Sequence, residues 1–209
     1  MTKKYLFTGV LVVACLVGSV ATTRLVRGMP KAIEIEPSKV SGDPDAKVFI
    51  LEYSDFACPY CSGIVPILNE VSKAYPKDFK ILFKHYPLDM HPSARPAAEA
   101  AECAADQGKF WEYHDLLFQK QQEWVRSKDL AGQFTAYAGT LGLNQTRFRQ
   151  CLDTHAKKAI VDKNKAEGRK FFVGGTPTLI LNGRRNVFFY KPEDLKKMIG
   201  DEIAKAQKR

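Results

Sequence analysis

The sequence predicts an α/β fold whose sheet is interrupted by a helical insertion. Three observations carry that prediction. Val48 to Tyr53 (VFILEY) and Phe79 to Phe83 (FKILF) are strand-length apolar runs flanking a helical spacing; Ser93 to about Arg169 is helical throughout; and strand character returns at Val173 to Leu181 (VGGTPTLIL). Strand, helix, strand in this order is a βαβ unit, which implies a parallel pair joined by a right-handed crossover.

Taken in order, the chain opens with Lys3 and Lys4, the apolar run Tyr5 to Val17, and Gly18-Ser19-Val20-Ala21, the charged, hydrophobic and small-residue parts of an export signal. Cleavage after Ala21 fits the small-x-small rule. A retained anchor over residues 5–21 is the second reading: the run falls short of the about 20 residues a span needs, but Arg24 and Arg27 follow it, where positive charge resists translocation. Lipidation at Cys15 ranks third, because Leu16 and Val17 continue the apolar run. All three readings place the rest of the chain outside the cytoplasm, in a periplasmic or other extracytoplasmic space where disulfides persist. Residues 1–27 are therefore a signal peptide or anchor, and Cys15 is left out of the thiol chemistry.

Residues 28–46 form a lead-in rich in Pro, Ser, Gly and charge, with Ile33-Glu34-Ile35 as its one candidate for a peripheral strand. Ser54-Asp55 ends the first buried strand. Ile64, Ile67, Leu68 and Val71 then stand at helical spacing, with Pro66 inside. From Ser93 on, Ala97, Ala101 and Ala104 form one small-residue stripe and Phe110, His114 and Leu117 another, and four or five helices are expected between glycine punctuations. Asn182-Gly183 is a hairpin turn signal, Val187 to Tyr190 the expected returning strand, and Pro192 to about Gln207 a closing helix. The domain reading is one sheet-bearing domain over 47–92 and 171–209, with a helical insertion over 93–170.

With 209 residues, 45% hydrophobic and 26% charged, the chain is long enough for a buried core, which excludes a disordered tail, a collagen-like rod and a multi-pass membrane protein. A formal charge of +9 permits acidic partners without identifying one, and no arginine-aromatic pattern suggests nucleic acid. Of five cysteines, the four outside the leader fall into two pairs. The first pair is Cys58-Pro59-Tyr60-Cys61, placed where a strand ends and a helix begins. There the exposed N–H groups and positive dipole end of the helix stabilise an anion, so Cys58 is the expected thiolate. Such sites lower a thiol from about 8.5 to as little as about 3.5. Cys61, one turn inward, is the resolving thiol. Stabilising the thiolate favours the reduced protein, so the disulfide becomes the stronger oxidant. Two other readings of the pair remain. A structural zinc site needs four ligands, and His85, His91, His114 and His155 show no partner spacing with it; a plain structural disulfide has no need of the strand-to-helix junction. No metal and no cofactor is called for.

YSDFACPYC after a buried strand, a long helical stretch, then GGTPTLILNG and a terminal helix resemble the DsbA-like thiol:disulfide oxidoreductases of the thioredoxin superfamily, over about residues 33–208. The resemblance implies a thioredoxin fold with an inserted all-helical domain. It implies that the Thr176-Pro177 bond is cis and faces the Cys58 sulfur, with the Thr176 backbone hydrogen-bonding an extended substrate chain; Pro59 and Tyr60 complete the expected substrate contacts. On the residues alone, a trans proline at a strand edge is the alternative. Glu52 matches the family's buried acid, able to pass a proton to or from Cys61. Alternation does not settle which face Glu52 takes, and an outward carboxylate or a partner in Lys84 remain alternatives. Asp55 belongs to the turn.

Cys103 and Cys151, both in the inserted region of an exported chain, are expected to form a structural disulfide; closing a loop of about 50 residues is worth about 4 kcal/mol. Two separately buried thiols are the alternative. Phe110, Trp111, Tyr113, Phe171 and Phe172 are read as packing residues, His114 as a helix–helix contact, His85 as a strand end, and Lys157-Lys158 and Lys163-Asn164-Lys165 as solvated faces. The functional expectation is an exported oxidase that donates its Cys58-Cys61 disulfide to cysteine-containing exported proteins and is reoxidised by an unidentified membrane or soluble redox partner. The alternatives are a reductase or isomerase of the same fold, since Pro-Tyr and Thr176 also resemble those branches, and a peptide-binding chaperone with incidental thiols.

Overall fold

The computed structural model describes residues 33–34, 36–186 and 192–208. The leader and Val187–Tyr190 lie outside them. A five-stranded sheet has the order β1-β3-β2-β4-β5, from β1 (Val40–Gly42), β2 (Val48–Ser54), β3 (Phe79–His85), β4 (Thr178–Leu181) and β5 (Arg184–Asn186). β2 and β3 are parallel, with Ile50 opposite Ile81 and Glu52 opposite Phe83; the other pairings are antiparallel. Every residue of β2 and β3 is buried, which is why these strands read as continuous runs: helices cover both faces of a parallel pair.

Alternation assigns the two faces. Val48, Ile50, Phe79 and Ile81 pack under α1 (Pro59–Ala74) and α8 (Pro192–Gln207) with Ile67, Leu68, Val71, Leu195 and Ile199. Phe49, Leu51, Tyr53 and Leu82 pack on the opposite face with Tyr86, Val173 and Ile180. Burying each such side chain is worth about 1.5–3 kcal/mol, so register is strongly fixed: a one-residue slip would exchange the faces. Pro59 stands at the start of α1, where its missing N–H is no loss, and the helix continues through Pro66. Asn182 and Gly183 both have positive φ, 47° and 78°, the conformation of a type I′ hairpin turn.

Between Ala94 and Lys170 lie six helices rather than the four or five expected: α2 (Ala94–Ala105), α3 (Phe110–Gln119), α4 (Gln121–Trp124), α5 (Leu130–Thr140), α6 (Gln145–Asp153) and α7 (Lys158–Lys170). The extra one is the single turn α4, too short to leave a periodic signature. The alanine side of α2 is buried and lies among α3, α5, α6 and α7. Cys103 of α2 and Cys151 of α6 are joined in a disulfide with Cα atoms 5.9 Å apart. Among the described residues no helix is long and apolar enough to cross a membrane.

Several local expectations are corrected. Ile33 and Glu34 are not in a strand; the edge strand is β1, inside the lead-in, where Val40 to Gly42 pair with Leu82 to Lys80. After the turn, pairing begins at Arg184, and the expected strand over Val187–Tyr190 lies outside the described residues. Phe172 is 81% exposed with positive φ, whereas Phe171 packs on the sheet. Asn164 and Lys165 are buried rather than solvated: Asn164 accepts from the backbone N–H of His85, and Lys165 pairs with Asp89. Lys39, Glu102 and His85 form a further buried polar group, with Glu102 Oε1 2.5 Å from Lys39 Nζ and 2.6 Å from His85 Nε2. It ties the lead-in to α2 and the end of β3.

Candidate active site

The loop from Ser54 to Cys58 is built around Asp55. Its carboxylate is fully buried and accepts from the N–H of Ala57 at 2.7 Å, the N–H of Leu88 at 2.9 Å and, at 2.8 Å, pairs with His91 Nδ1. The Asp55 carbonyl accepts from the N–H of Cys58, which delivers Cys58 to the N-cap position of α1. Gln121 of α4, 3% exposed, donates to the carbonyls of Phe56 at 2.7 Å and Cys58 at 3.0 Å. The helical insertion thus clamps the loop that carries the first cysteine.

Cys58 and Cys61 are free thiols. Cys58 is held down at about 6 by a hydrogen bond from the Cys61 thiol, then, against the cost of burial, by the N–H groups of Cys61 and Tyr60 and by Thr176. Cys61 is driven the other way: burial, and the neighbouring Cys58 sulfur, push it well above an ordinary thiol. Chemically this is an asymmetric dithiol, a thiolate at neutral pH beside a buried thiol that keeps its proton. Both are buried, Cys58 at 3% exposure and Cys61 at 0%. Cys58 Sγ lies 3.4 Å from the carbonyl oxygen of Thr176, and the Thr176-Pro177 peptide bond is cis. Tyr60, 61% exposed, projects from the helix start. Beside it a cavity of about 240 Å³ is lined by Ala57, Pro59, Met90, His91, Gln121 and Val125, among others.

Glu52 is 1% exposed and lies on the α1 side of the sheet, the side of Cys61. Burial pushes its carboxyl up, opposed by the charge of His114 and by the Ser54 hydroxyl. Lys84 is not its partner. One position beyond Phe83, Lys84 points to the opposite face, where it pairs with Glu167 at 3.3 Å and donates to the Glu34 carbonyl.

The family model described as Thioredoxin matches residues 34–201, most of the chain. The chain belongs to that family. Within it, the fold is DsbA-like: BdbD of Bacillus subtilis superposes with TM-score 0.70 at 25% identity, over 79% of this chain and 92% of that one. The fold of alpha-DsbA1 of Wolbachia pipientis superposes with TM-score 0.72 at 20% identity, over 84% and 95%. By sequence, a protein of Salinispora tropica called Na(+)/H(+) antiporter NhaA 3 is 38% identical over 180 residues, 85% of this chain but 27% of the relative. The chain spans about a quarter of the length of the curated relatives it matches, and the antiport in their names belongs to those longer proteins.

Within this DsbA-like frame the structure brings together Cys58, Cys61, Thr176, Pro177, Pro59 and Tyr60 at one end of the sheet, with Glu52 behind Cys61, while the Cys103–Cys151 disulfide lies in the insertion. Sequence reasoning missed Gln121, His91 and Ser54, and placed His114 at a helix–helix contact. His114 sits instead in an aromatic cage, its ring 5.1 Å from Phe83, 5.6 Å from Phe56, 5.0 Å from Trp111 and 4.9 Å from Phe118. A glutamine inside a one-turn helix carries no local signal. Asp55 did carry one, as a turn residue, though not for its second role of fixing the Leu88–His91 loop.

Proposed function

We propose that this chain is an exported thiol:disulfide oxidoreductase that oxidises protein substrates through Cys58 and Cys61. A substrate thiolate attacks Cys58 Sγ of the Cys58-Cys61 disulfide; Cys61 leaves and takes up a proton, giving a mixed disulfide. A second substrate thiolate attacks the substrate sulfur of that bond and Cys58 departs as a thiolate. The substrate gains a disulfide and loses two electrons, which reside in the Cys58-Cys61 dithiol until a membrane or soluble redox partner removes them. The observation that carries the direction is the split between the two thiols: Cys58, held at about 6, is a good leaving group and stabilises the reduced state, and Cys61, kept protonated, does not reattack readily.

The cis peptide bond of Thr176-Pro177 beside Cys58 supports an extended substrate chain lying over that loop. Substrates are then cysteine-containing chains outside the cytoplasm, in keeping with the export-like leader and the Cys103–Cys151 disulfide. The test is thiol loss from a reduced, unfolded two-cysteine protein mixed with the preoxidised chain. Stoichiometric loss is expected, abolished by Cys58→Ser. Activity on such chains that survives Cys58→Ser would instead favour peptide binding with incidental thiols.

A further inference from the structure

Thiol exchange uses the Cys58 sulfur and the Thr176-Pro177 loop, and it leaves the neighbouring cavity of about 240 Å³ without a role. Neither Thr176 nor Pro177 lines that cavity. Its apolar walls include Ala57 and Pro59, the chain neighbours of Cys58, and Val125 at the end of α4. The exposed Met90 joins them, a side chain type that adapts its shape to what it meets.

Three polar side chains line the same space with hydrogen-bonding capacity to spare. Gln121 is 3% exposed; its amide nitrogen is spent on the Phe56 and Cys58 carbonyls, and its Oε1 accepts nothing from the described residues. Ser93, 9% exposed, stands at the N-cap of α2, yet its hydroxyl makes no capping bond. Side chains buried this deeply nearly always have their polar atoms satisfied. His91 sets Nδ1 2.8 Å from Asp55 Oδ2, an oxygen that also accepts from the N–H of Leu88, so the hydrogen is assigned to Nδ1 and Nε2 is left as an acceptor. Among the described residues nothing donates to that Nε2. The cavity therefore lacks a donor, and one must come from outside the chain.

Apolar walls combined with open acceptors are the complement of an aromatic ring that ends in a donor, the phenol of tyrosine or the indole of tryptophan. Size agrees: a dry cavity of about 150 Å³ takes a benzene molecule, so 240 Å³ takes a phenol or an indole. Position agrees as well. A substrate bonded to Cys58 carries its next residues at Cα steps of about 3.8 Å, and Ala57 and Pro59 put the cavity within about one or two such steps.

We propose that this cavity is a substrate subsite, separate from the cis-proline loop, that receives a tyrosine or tryptophan side chain lying one or two positions from the substrate cysteine. Its O–H or N–H donates to His91 Nε2, and Gln121 and Ser93 supply the polar remainder of the lining. Asp55 is the positioning residue of this subsite, since holding Nδ1 is what leaves Nε2 to the ligand. The subsite rests on the exchange reading above, and it makes the exchange selective among cysteines.

The test is the rate at which the preoxidised chain removes thiols from short two-cysteine peptides that differ at one position beside a cysteine, occupied by Tyr, Trp, Phe or Ser. Each rate is divided by that peptide's rate with oxidised glutathione, which removes differences between the peptide thiols, and each variant is scored by ratios between peptides. On the unmutated chain the Tyr and Trp peptides are expected to react about tenfold or more faster than Ser, and roughly two- to tenfold faster than Phe, the span of one added hydrogen bond. His91→Asn keeps a donor for Asp55 but removes the acceptor, so the Tyr-over-Phe ratio should fall to about one while Phe over Ser survives. Val125→Trp fills the cavity and should bring every ratio to about one. Equal rates for the four peptides on the unmutated chain overturn the proposal, as does a preference that persists unchanged in Val125→Trp. Should that variant not fold by circular dichroism, an undiminished Tyr-over-Phe ratio in His91→Asn overturns it alone. If no peptide loses thiols to the unmutated chain, the exchange reading itself fails, an outcome visible before any substitution.

Discussion

Removing the Cys61 thiol by Cys61→Ala takes away the first of the groups that hold Cys58 down at about 6. A hydrogen bond to an ionised acceptor is worth about 1.5–3 kcal/mol, which at about 1.4 kcal/mol per unit is a rise of about 1–2 units. The rise stops short of an ordinary thiol because the N–H groups of Cys61 and Tyr60 remain, as does Thr176. Cys61→Ser keeps a hydroxyl donor at the same place and should retain most of the lowering. The assay is the pH dependence of iodoacetamide alkylation, checked by thiolate absorbance near 240 nm. At pH 6 the alanine variant should react roughly tenfold more slowly than the serine variant, and the two should converge above about pH 9. If both variants titrate together with the unmutated chain, the sulfur-to-sulfur hydrogen bond plays no part and the helix end alone sets Cys58.

Other consequences concern the scaffold. Burial would push Glu102 up, but the hydrogen bond and charge of His85, with Lys39, hold it down at about 2. Its contribution to stability is therefore complete above about pH 4.5 and lost as pH falls toward 2, and Glu102→Gln should flatten that part of a pH series of thermal melts while lowering stability at pH 7 by about 3–5 kcal/mol. Gln121→Ala strands the carbonyls of Phe56 and Cys58; a loss of about 1–3 kcal/mol in a denaturant melt is expected, with faster hydrogen exchange in the 55–58 loop. Replacing Cys103 and Cys151 together by alanine should cost about 4 kcal/mol or less in the same melt and leave the Cys58 alkylation midpoint unchanged.

What was legible in the sequence follows from range. The β2 and β3 runs, the Asn182-Gly183 turn and the Cys58-to-Cys61 spacing are local patterns, and local patterns survive in a single chain. β1 was not legible, since Val40 to Gly42 become a strand only by pairing with β3. The polar interior was hidden for the same reason. Glu102 looks like any surface glutamate of an alanine-rich helix until Lys39 and His85, far away in the chain, close on it. Lys84 seemed a natural partner for Glu52 by adjacency, but the pleat sends the two side chains to opposite faces. Pro177, more than a hundred residues beyond the thiols it faces, was reached through family resemblance rather than through periodicity.

The central claim is that Cys58 and Cys61 form a redox couple poised to give away its disulfide, and equilibrium titration of that couple against glutathione tests it most directly. A thiol held at about 6 lies between thioredoxin, at about 7 with a potential of about −270 mV, and DsbA, at about 3.5 with about −120 mV. The account predicts a potential of about −230 mV, on the oxidising side of thioredoxin. A couple at or below about −270 mV would be a reductant, and would contradict it.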